Sequence, residues 1–295
     1  MKNRILIIDI DSKMPNLALK KIEKYHQNKG DEVIWNVPLF RECVDKIYVS
    51  CIFTKNKHKC KEWKGSEIGG TGYSLKKTLP KEIEEINPRI NLGFTTRGCI
   101  RNCSFCVVPE KEGKMQRVGD LLDLWDGKTK DITVLDNNIL ADPEHFELIC
   151  KQAKENKIRV DFNQGLDHRL LTQDMVTLMK SISHKQYRFA FDYPSYKPMV
   201  ERALILLKNG GIKRVSWYIL VGFNTTPQED LDRCNFLRDA KQDVYIQRYK
   251  TCEGIKFYTA LAKWGNQHGI FKSMTWKQFL LHPSHAKRYA ELLKI

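Results

Sequence analysis

Residues 93–106 read Gly93-Phe94-Thr95-Thr96-Arg97-Gly98-Cys99-Ile100-Arg101-Asn102-Cys103-Ser104-Phe105-Cys106. The cysteines fall as Cys-x3-Cys-x2-Cys, in a loop directly after a strand-like run, Arg89 to Thr95. Three thiolates this close in sequence can grip one metal centre, and they leave a coordination position open if no fourth ligand arrives. A structural zinc site wants four closed protein ligands, yet no Cys or His follows Cys106 within 35 residues; the next are His145 and Cys150. His58 or Cys60 would have to come from a preceding domain. A ferredoxin-type run uses another spacing and a fourth cysteine. Closed zinc, an iron-sulfur centre with an open iron, and three unrelated thiols are the readings to separate.

Downstream, strand-like runs recur at Ile132–Leu135, Arg159–Phe162, Tyr187–Phe191, Val215–Val221 and Val244–Ile246. After a longer first interval their starts fall roughly 25 to 30 residues apart, the length a βα unit needs. Helical patterns fill most intervals, among them Asp174–Lys180, Val200–Lys208 and Pro227–Ala240. With Arg89–Thr95 as the first, six units predict a partial parallel α/β barrel over residues 89–250. Upstream, Ile5–Ile8 reads as a strand and Leu17–Asn28 as a helix, with Leu19, Ile22 and Tyr25 at helical spacing. Val33–Trp35 and Lys46–Phe53 read as further strands. Strand, helix and strand in about 30 residues make a βαβ unit with a right-handed crossover. Residues 1–88 are therefore expected as a small α/β domain, and 251–295 as a helical extension. Lys55–Lys64 reads as a charged, mobile-looking connector, and Gly69–Gly72 as a turn.

The chain of 295 residues is 42% apolar and carries nine cysteines and a net charge of +15. That apolar share builds a core and excludes global disorder, collagen and a disulfide-knotted mini-protein. An odd cysteine count in so long a chain is no disulfide framework. No apolar stretch reaches the ~18 residues of a membrane span, and MKNRILIIDIDSKMP lacks the pattern of a signal peptide. The expectation is a cytoplasmic protein with no membrane partner. The charge favours a polyanionic partner, with RNA as the candidate.

Cys-x3-Cys-x2-Cys, with an aromatic just before the last cysteine and at the end of the first strand of a βα barrel, resembles the radical S-adenosylmethionine (radical SAM) superfamily. The resemblance covers residues 89–250 and implies a partial (β/α)6 radical SAM barrel. It implies that Cys99, Cys103 and Cys106 hold a 4Fe-4S cluster whose fourth iron binds SAM through its amino and carboxylate groups. An electron from the cluster cleaves SAM to methionine and a 5′-deoxyadenosyl radical, which abstracts hydrogen from a substrate carbon. A flavodoxin- or ferredoxin-type electron donor is implied with it. Thiolate ligation suits a low cluster potential, and a barrel interior shields a radical from solvent. Phe105 stands where the family's aromatic packs near adenine; an ordinary core aromatic is the competing reading.

Active sites of parallel α/β barrels lie at the C-terminal ends of strands. Polar residues gather there: Asp136-Asn137-Asn138, then Asn163-Gln164-Gly165 followed by Asp167, His168 and Arg169, then Asp192-Tyr193-Pro194, Gly222-Phe223-Asn224 and Gln247-Arg248-Tyr249. One such end reads as a cap or turn; five together predict a ring facing the cysteine loop. By resemblance, the strand-two end corresponds to the SAM-amino site, the strand-four end at Asp192 to the ribose contact, and Gly222-Phe223 to the backing of adenine. The family's Gly-Gly-Glu signature is absent, and Asp136-Asn137-Asn138 stands in its place, which puts those contacts in doubt. Gln164 and Gln247 are further cofactor-binding candidates. Arg169 suits the SAM carboxylate as a guanidinium fork, or is a surface residue. His168 and Cys252 are catalytic candidates, set against a structural histidine and a plain thiol.

Residues 1–88 resemble the Rossmann-like domain that precedes the barrel in cobalamin-dependent radical SAM enzymes and in methylthiotransferases. The cobalt-ligating Asp-x-His-x-x-Gly of the former is absent, so cobalamin is not expected and a scaffolding domain is. Cys43, Cys51 and Cys60 are candidates for the second cluster of the latter on count alone. The tail interleaves Trp264, Phe271, Trp276, Phe279 and Tyr289 with basic residues, which fits RNA stacking or aromatics packed on the barrel. The alternatives to an unassigned radical SAM reaction are a radical methylase or methylthiotransferase acting on tRNA, and a zinc-stabilised nucleic-acid-binding protein.

Overall fold

The computed structural model describes residues 2–294, and the chain is mixed α/β with parallel sheets. Its contacts divide into two compact units. One takes in the residues up to 102 together with 106–129; the other comprises 103–105 and the residues from 130 onward.

The first unit is built on a four-stranded parallel sheet in the order β2-β1-β3-β4. Its strands are β1 (Arg4–Asp9), β2 (Glu32–Trp35), β3 (Lys46–Ser50) and β4 (Glu67–Gly69), with α1 (Leu17–Asn28) crossing from β1 to β2. Side chains alternate along β1, so its apolar run feeds two cores. Ile5 and Ile7 pack with Leu19 and Ile22 of α1. Leu6 and Ile8 pack with Cys60 and Trp63. The second pair belongs to a 3-10 helix, Thr54–Trp63, where the lysine content suggested a loose connector. The three-residue period explains the difference: Cys60 and Trp63, one turn apart, share the buried face, while the lysines are exposed. Burying a side chain such as Trp63 stabilises by roughly 1.5–3 kcal/mol, enough to fix the segment.

The run Arg89–Thr95 does not form one strand. Only β5 (Leu92–Gly93) and β6 (Thr96–Arg97) are extended. Arg89 and Asn91 both adopt positive φ, +48° and +59°, which breaks an extended run. Asn91 is held there by the Leu124 carbonyl at 2.9 Å. β6 pairs antiparallel with β7 (Gln116–Arg117). Short helices α2 (Lys81–Glu84), α3 (Val108–Glu112) and α4 (Leu121–Leu124) complete the unit.

The second unit carries β8 (Asp131–Val134), β9 (Arg159–Phe162), β10 (Ser183–His184), β11 (Arg188–Ala190), β12 (Ser216–Val221) and β13 (Asp243–Arg248). β8, β9 and β10 pair in parallel, as do β11, β12 and β13. A parallel bridge, Leu166 to Phe189, joins the two sets. The helices between them are α5 (Pro143–Glu155), α6 (Gln173–Ser181), α7 (Lys197–Asn209) and α8 (Pro227–Asp239). Their starts follow from sequence: Asp142, Thr172 and Thr226 each accept a backbone N–H of the first turn, and Pro143 and Pro227 occupy the first helical position. The two-residue strand β10 escaped the sequence reading, because Ser183-His184 has no apolar run to mark it.

α9 (Lys256–Gly265), α10 (His268–Ser273), α11 (Trp276–Leu281) and α12 (Pro283–Tyr289) close the chain. Trp264, Phe271, Phe279 and Tyr289 are each 1% exposed or less, and Trp276 is 8%. They pack on one another, Trp264 tilted against Phe271 at 4.7 Å and Trp276 stacked on Phe279 at 5.8 Å. These rings are core, and no face of them is left for a nucleobase.

Candidate functional site

The cysteine loop enters through Gly98, whose φ is +78° and whose missing Cβ would overlap the Lys114 carbonyl. Only glycine allows that approach. Cys99 and Cys103 are half-buried and Cys106 is exposed. The Arg101 N–H donates to Cys99 Sγ, 3.3 Å away. The contrast with Cys51, Cys60, Cys150, Cys234 and Cys252 is sharp, because each of those is 3% exposed or less. Burial pushes the Cys51, Cys150 and Cys234 thiols up to about 12, which makes poor ligands and poor nucleophiles. Among the described residues, no three His, Cys, Asp or Glu side chains already stand in an arrangement that holds a metal ion. The fit of the triplet to a metal centre therefore rests on its donor chemistry: three thiols, closely spaced in sequence and none of them buried. Cys43 is exposed while Cys51 and Cys60 are buried in one core, so this second trio is not a matched donor set.

In the second unit, the strand ends form a continuous chain of contacts. The Asn138 amide donates to Asp167 Oδ2 at 3.3 Å. Asp167 accepts both edges of the Arg169 fork, at 2.6 and 3.0 Å. The remaining Arg169 nitrogen donates to the Tyr196 hydroxyl at 3.1 Å, and the guanidinium lies over that ring at 4.9 Å. Tyr196 packs on Tyr193, and Tyr193 and Phe223 both pack on Phe105, at 6.0 and 5.5 Å. Tyr249 adds its edge to Phe223 at 4.7 Å. The aromatic before the last cysteine thus belongs to a partly exposed apolar wall. Burial opposes the Arg169 charge, and Asp167, Tyr196 and Cys103 outweigh it, so Cys103 lies within electrostatic reach of this rim. Burial pushes the Asp192 carboxyl up to about 6, against the Leu220 N–H and the Arg233 and Arg169 charges.

A buried ion pair sets these ends. Asp230 and Arg233, on α8, are 0% and 3% exposed. Arg233 donates to Asp230, to the Phe191 carbonyl and to the Leu220 carbonyl, the last at 2.8 Å. Asp230 accepts the Gly222 N–H at 2.9 Å. One helix therefore pins the end of β11, just before Asp192, and the end of β12 at Gly222. Gly222 has φ +73°, and a Cβ there would overlap Cys252 Sγ.

The predicted residues do not all join this rim. Asp136 is 4% exposed. Gln164 and Gln247 are exposed, and among the described residues no hydrogen bond ties either of them to the rim. The Arg169 fork is filled by Asp167, with which any ligand carboxylate must compete. His168 is 2% exposed and packs on Trp217 at 5.7 Å, a core position. Cys252 is fully buried behind Gly222, with its thiol donating to the Val221 carbonyl at 3.2 Å. Sequence reasoning missed Asp167 as a hub and the Asp230–Arg233 pair altogether.

The sheet of the first unit has a topological switch point between β1 and β3, where folds of this kind bind ligands. There the Asp11 carboxylate accepts the Ile52 and Phe53 N–H groups at 2.7 and 3.0 Å and the Asn56 amide at 2.9 Å. Burial pushes its carboxyl up, but the bonds from Ile52, Asn56, Phe53 and Cys51 outweigh that and hold it below the usual range. The chain's own anion thus takes the donors that a ligand would need. Asp11→Ala is expected to destabilise this unit by about 2–3 kcal/mol, because three donors lose a charged acceptor. Asp11→Asn, which keeps one acceptor oxygen, costs less. The native contribution is present above the ordinary carboxylate range and fades as pH falls through the depressed value. Denaturant unfolding of both variants checks this, and an unchanged midpoint for Asp11→Ala contradicts it.

No protein-family model matches the chain, and no curated protein matches it.

Proposed function

We propose that the chain is a radical SAM enzyme whose second unit forms the main part of a (β/α)6 barrel. The observation that carries the reading is the Cys99, Cys103, Cys106 spacing, on partly or fully exposed thiols, in a chain whose other cysteines are, Cys43 apart, buried. On this reading Cys99, Cys103 and Cys106 would hold a 4Fe-4S cluster, which would supply the electron for reductive cleavage of SAM. The chain's own contribution is positional. Phe105, Tyr193 and Phe223 offer an apolar wall suited to an adenine face, and partly exclude water from it. The Gly222 backbone is held by Asp230, and Asp192 and Arg169 present polar atoms beside the wall. Asp192, whose carboxyl is raised to about 6, is largely ionised at neutral pH and offers two acceptor oxygens, which suits a pair of ribose hydroxyls. A flavodoxin- or ferredoxin-type protein is the electron source. The first unit serves as a scaffold, since Asp11 fills its switch point. Zinc is the weaker reading, because no Cys or His follows Cys106 within 35 residues to close a four-ligand site.

The test is SAM turnover. Protein supplied anaerobically with iron and sulfide, then with a strong reductant, is expected to convert SAM to 5′-deoxyadenosine. An iron-loaded protein that leaves SAM intact contradicts the proposal.

A further inference from the structure

We infer that the 3-10 helix Thr54–Trp63 is a preorganised rail for the phosphate backbone of a nucleic acid. The inference goes beyond the radical SAM reading and needs none of it. Lys55, Lys57, Lys59, Lys61 and Lys64 are all exposed. Among the described residues none of the five is paired with a carboxylate, whereas nearby Lys77 is paired with Glu67 at 3.1 Å and Lys81 with Glu85 at 3.7 Å. Residues 46–81 hold nine lysines against Glu62 and Glu67, so seven of the fifteen surplus positive charges sit in 36 residues.

The inner side of the segment is fixed. Cys60 and Trp63 are buried in the core of the first unit. The Asn56 amide donates to Asp11 at 2.9 Å. Arg41 donates to the Glu62 carbonyl at 2.6 Å and lies 5.7 Å from the Trp63 ring. Binding a polyanion therefore does not have to order a loop, which removes a large part of the usual entropy cost. Neighbouring unpaired lysines repel one another, and phosphates relieve that repulsion while releasing counterions.

A nucleic acid fits better than a lipid surface. Membrane-surface helices insert an apolar face, but Cys60 and Trp63 are already buried in this protein's own core. The rings at hand, Phe53 and Tyr73, lie under Lys55 and Lys57 at 5.9 and 5.5 Å. Such pairs of ring and cation suit ribose and base contacts.

The experiment uses the full chain without SAM or reductant, so its outcome is independent of the cysteine chemistry. Fluorescence anisotropy follows a labelled single-stranded RNA, an RNA hairpin and a DNA strand of the same sequence across salt concentrations; sedimentation follows phosphatidylserine vesicles. The wild-type chain is expected to bind nucleic acid with a steep salt dependence. Lys55→Ala, Lys57→Ala, Lys59→Ala and Lys61→Ala combined should lower the log–log salt slope by about 3, at roughly 0.7–0.9 per phosphate contact. At physiological salt that variant should bind at least about tenfold more weakly. Lys57→Glu with Lys61→Glu, a smaller change, should do the same with the fold intact by circular dichroism. Lys151→Ala and Lys154→Ala on α5, with Lys157→Ala just beyond its end, remove three exposed lysines elsewhere and should leave the slope nearly unchanged. Loss of RNA or DNA binding confined to the rail variants supports the inference. No nucleic-acid binding, equal weakening by the α5 variants, or vesicle binding without nucleic-acid binding overturns it.

Discussion

Cys99→Ala is expected to abolish 5′-deoxyadenosine formation while leaving the fold intact. Even partners that only orient a metal ligand typically change affinity or activity 10–100-fold. Removal of a ligand itself should therefore cost more than about 100-fold, to background. Cys103→Ala and Cys106→Ala should match it, because a cluster left with two thiolates loses iron. Cys150→Ala is the control. Cys150 lies on the buried side of α5, 1% exposed, and burial pushes its thiol up to about 12, so turnover should persist while stability falls slightly. The contrast separates ligands from bystanders by chemistry. Equal loss in all four variants would point to folding instead, and unchanged turnover in Cys99→Ala would refute the ligand assignment.

Arg233→Ala is expected to carry the largest cost to stability. It strands the Asp230 carboxylate, 0% exposed, and leaves the Phe191 and Leu220 carbonyls without their donor. Removing one partner of a buried pair typically costs about 3–5 kcal/mol. Pairing Arg233→Ala with Asp230→Ala should cost less than the sum of the two single changes, since the stranded charge leaves with its partner. Unfolding in urea with a probe in the second unit measures both. A cost below about 1 kcal/mol for Arg233→Ala would show that α8 does not fix the strand ends. SAM affinity should fall in the same variant, because Asp192 and Gly222 lose their common anchor.

Much of this was legible in residue pattern. β1 and α1 follow from Ile5–Ile8 and from Leu19 and Ile22, since both periodicities are clean. β9 begins and ends where the strand-like run does, at Arg159 and Phe162. Legibility failed where long-range contacts override local pattern. Arg89 and Asn91 break the first run through left-handed backbone angles that a capping carbonyl stabilises. The lysines of Thr54–Trp63 mask the two residues that anchor it, Cys60 and Trp63. Asp230 and Arg233 stand at i and i+3 on a helix, the spacing of an ordinary surface pair; only the fold buries them. The strand-end ring was anticipated as a set of positions, but the aromatic wall of Phe105, Tyr193, Phe223 and Tyr249 was not. Rings contributed by four distant segments give no local sequence signal.

The central claim is that Cys99, Cys103 and Cys106 bind an iron-sulfur cluster. Elemental analysis of anaerobically purified protein, with its absorption and electron paramagnetic resonance spectra, tests it most directly. The account predicts a brown protein with about four irons per chain, lost in Cys99→Ala. One zinc per chain and no iron would contradict it.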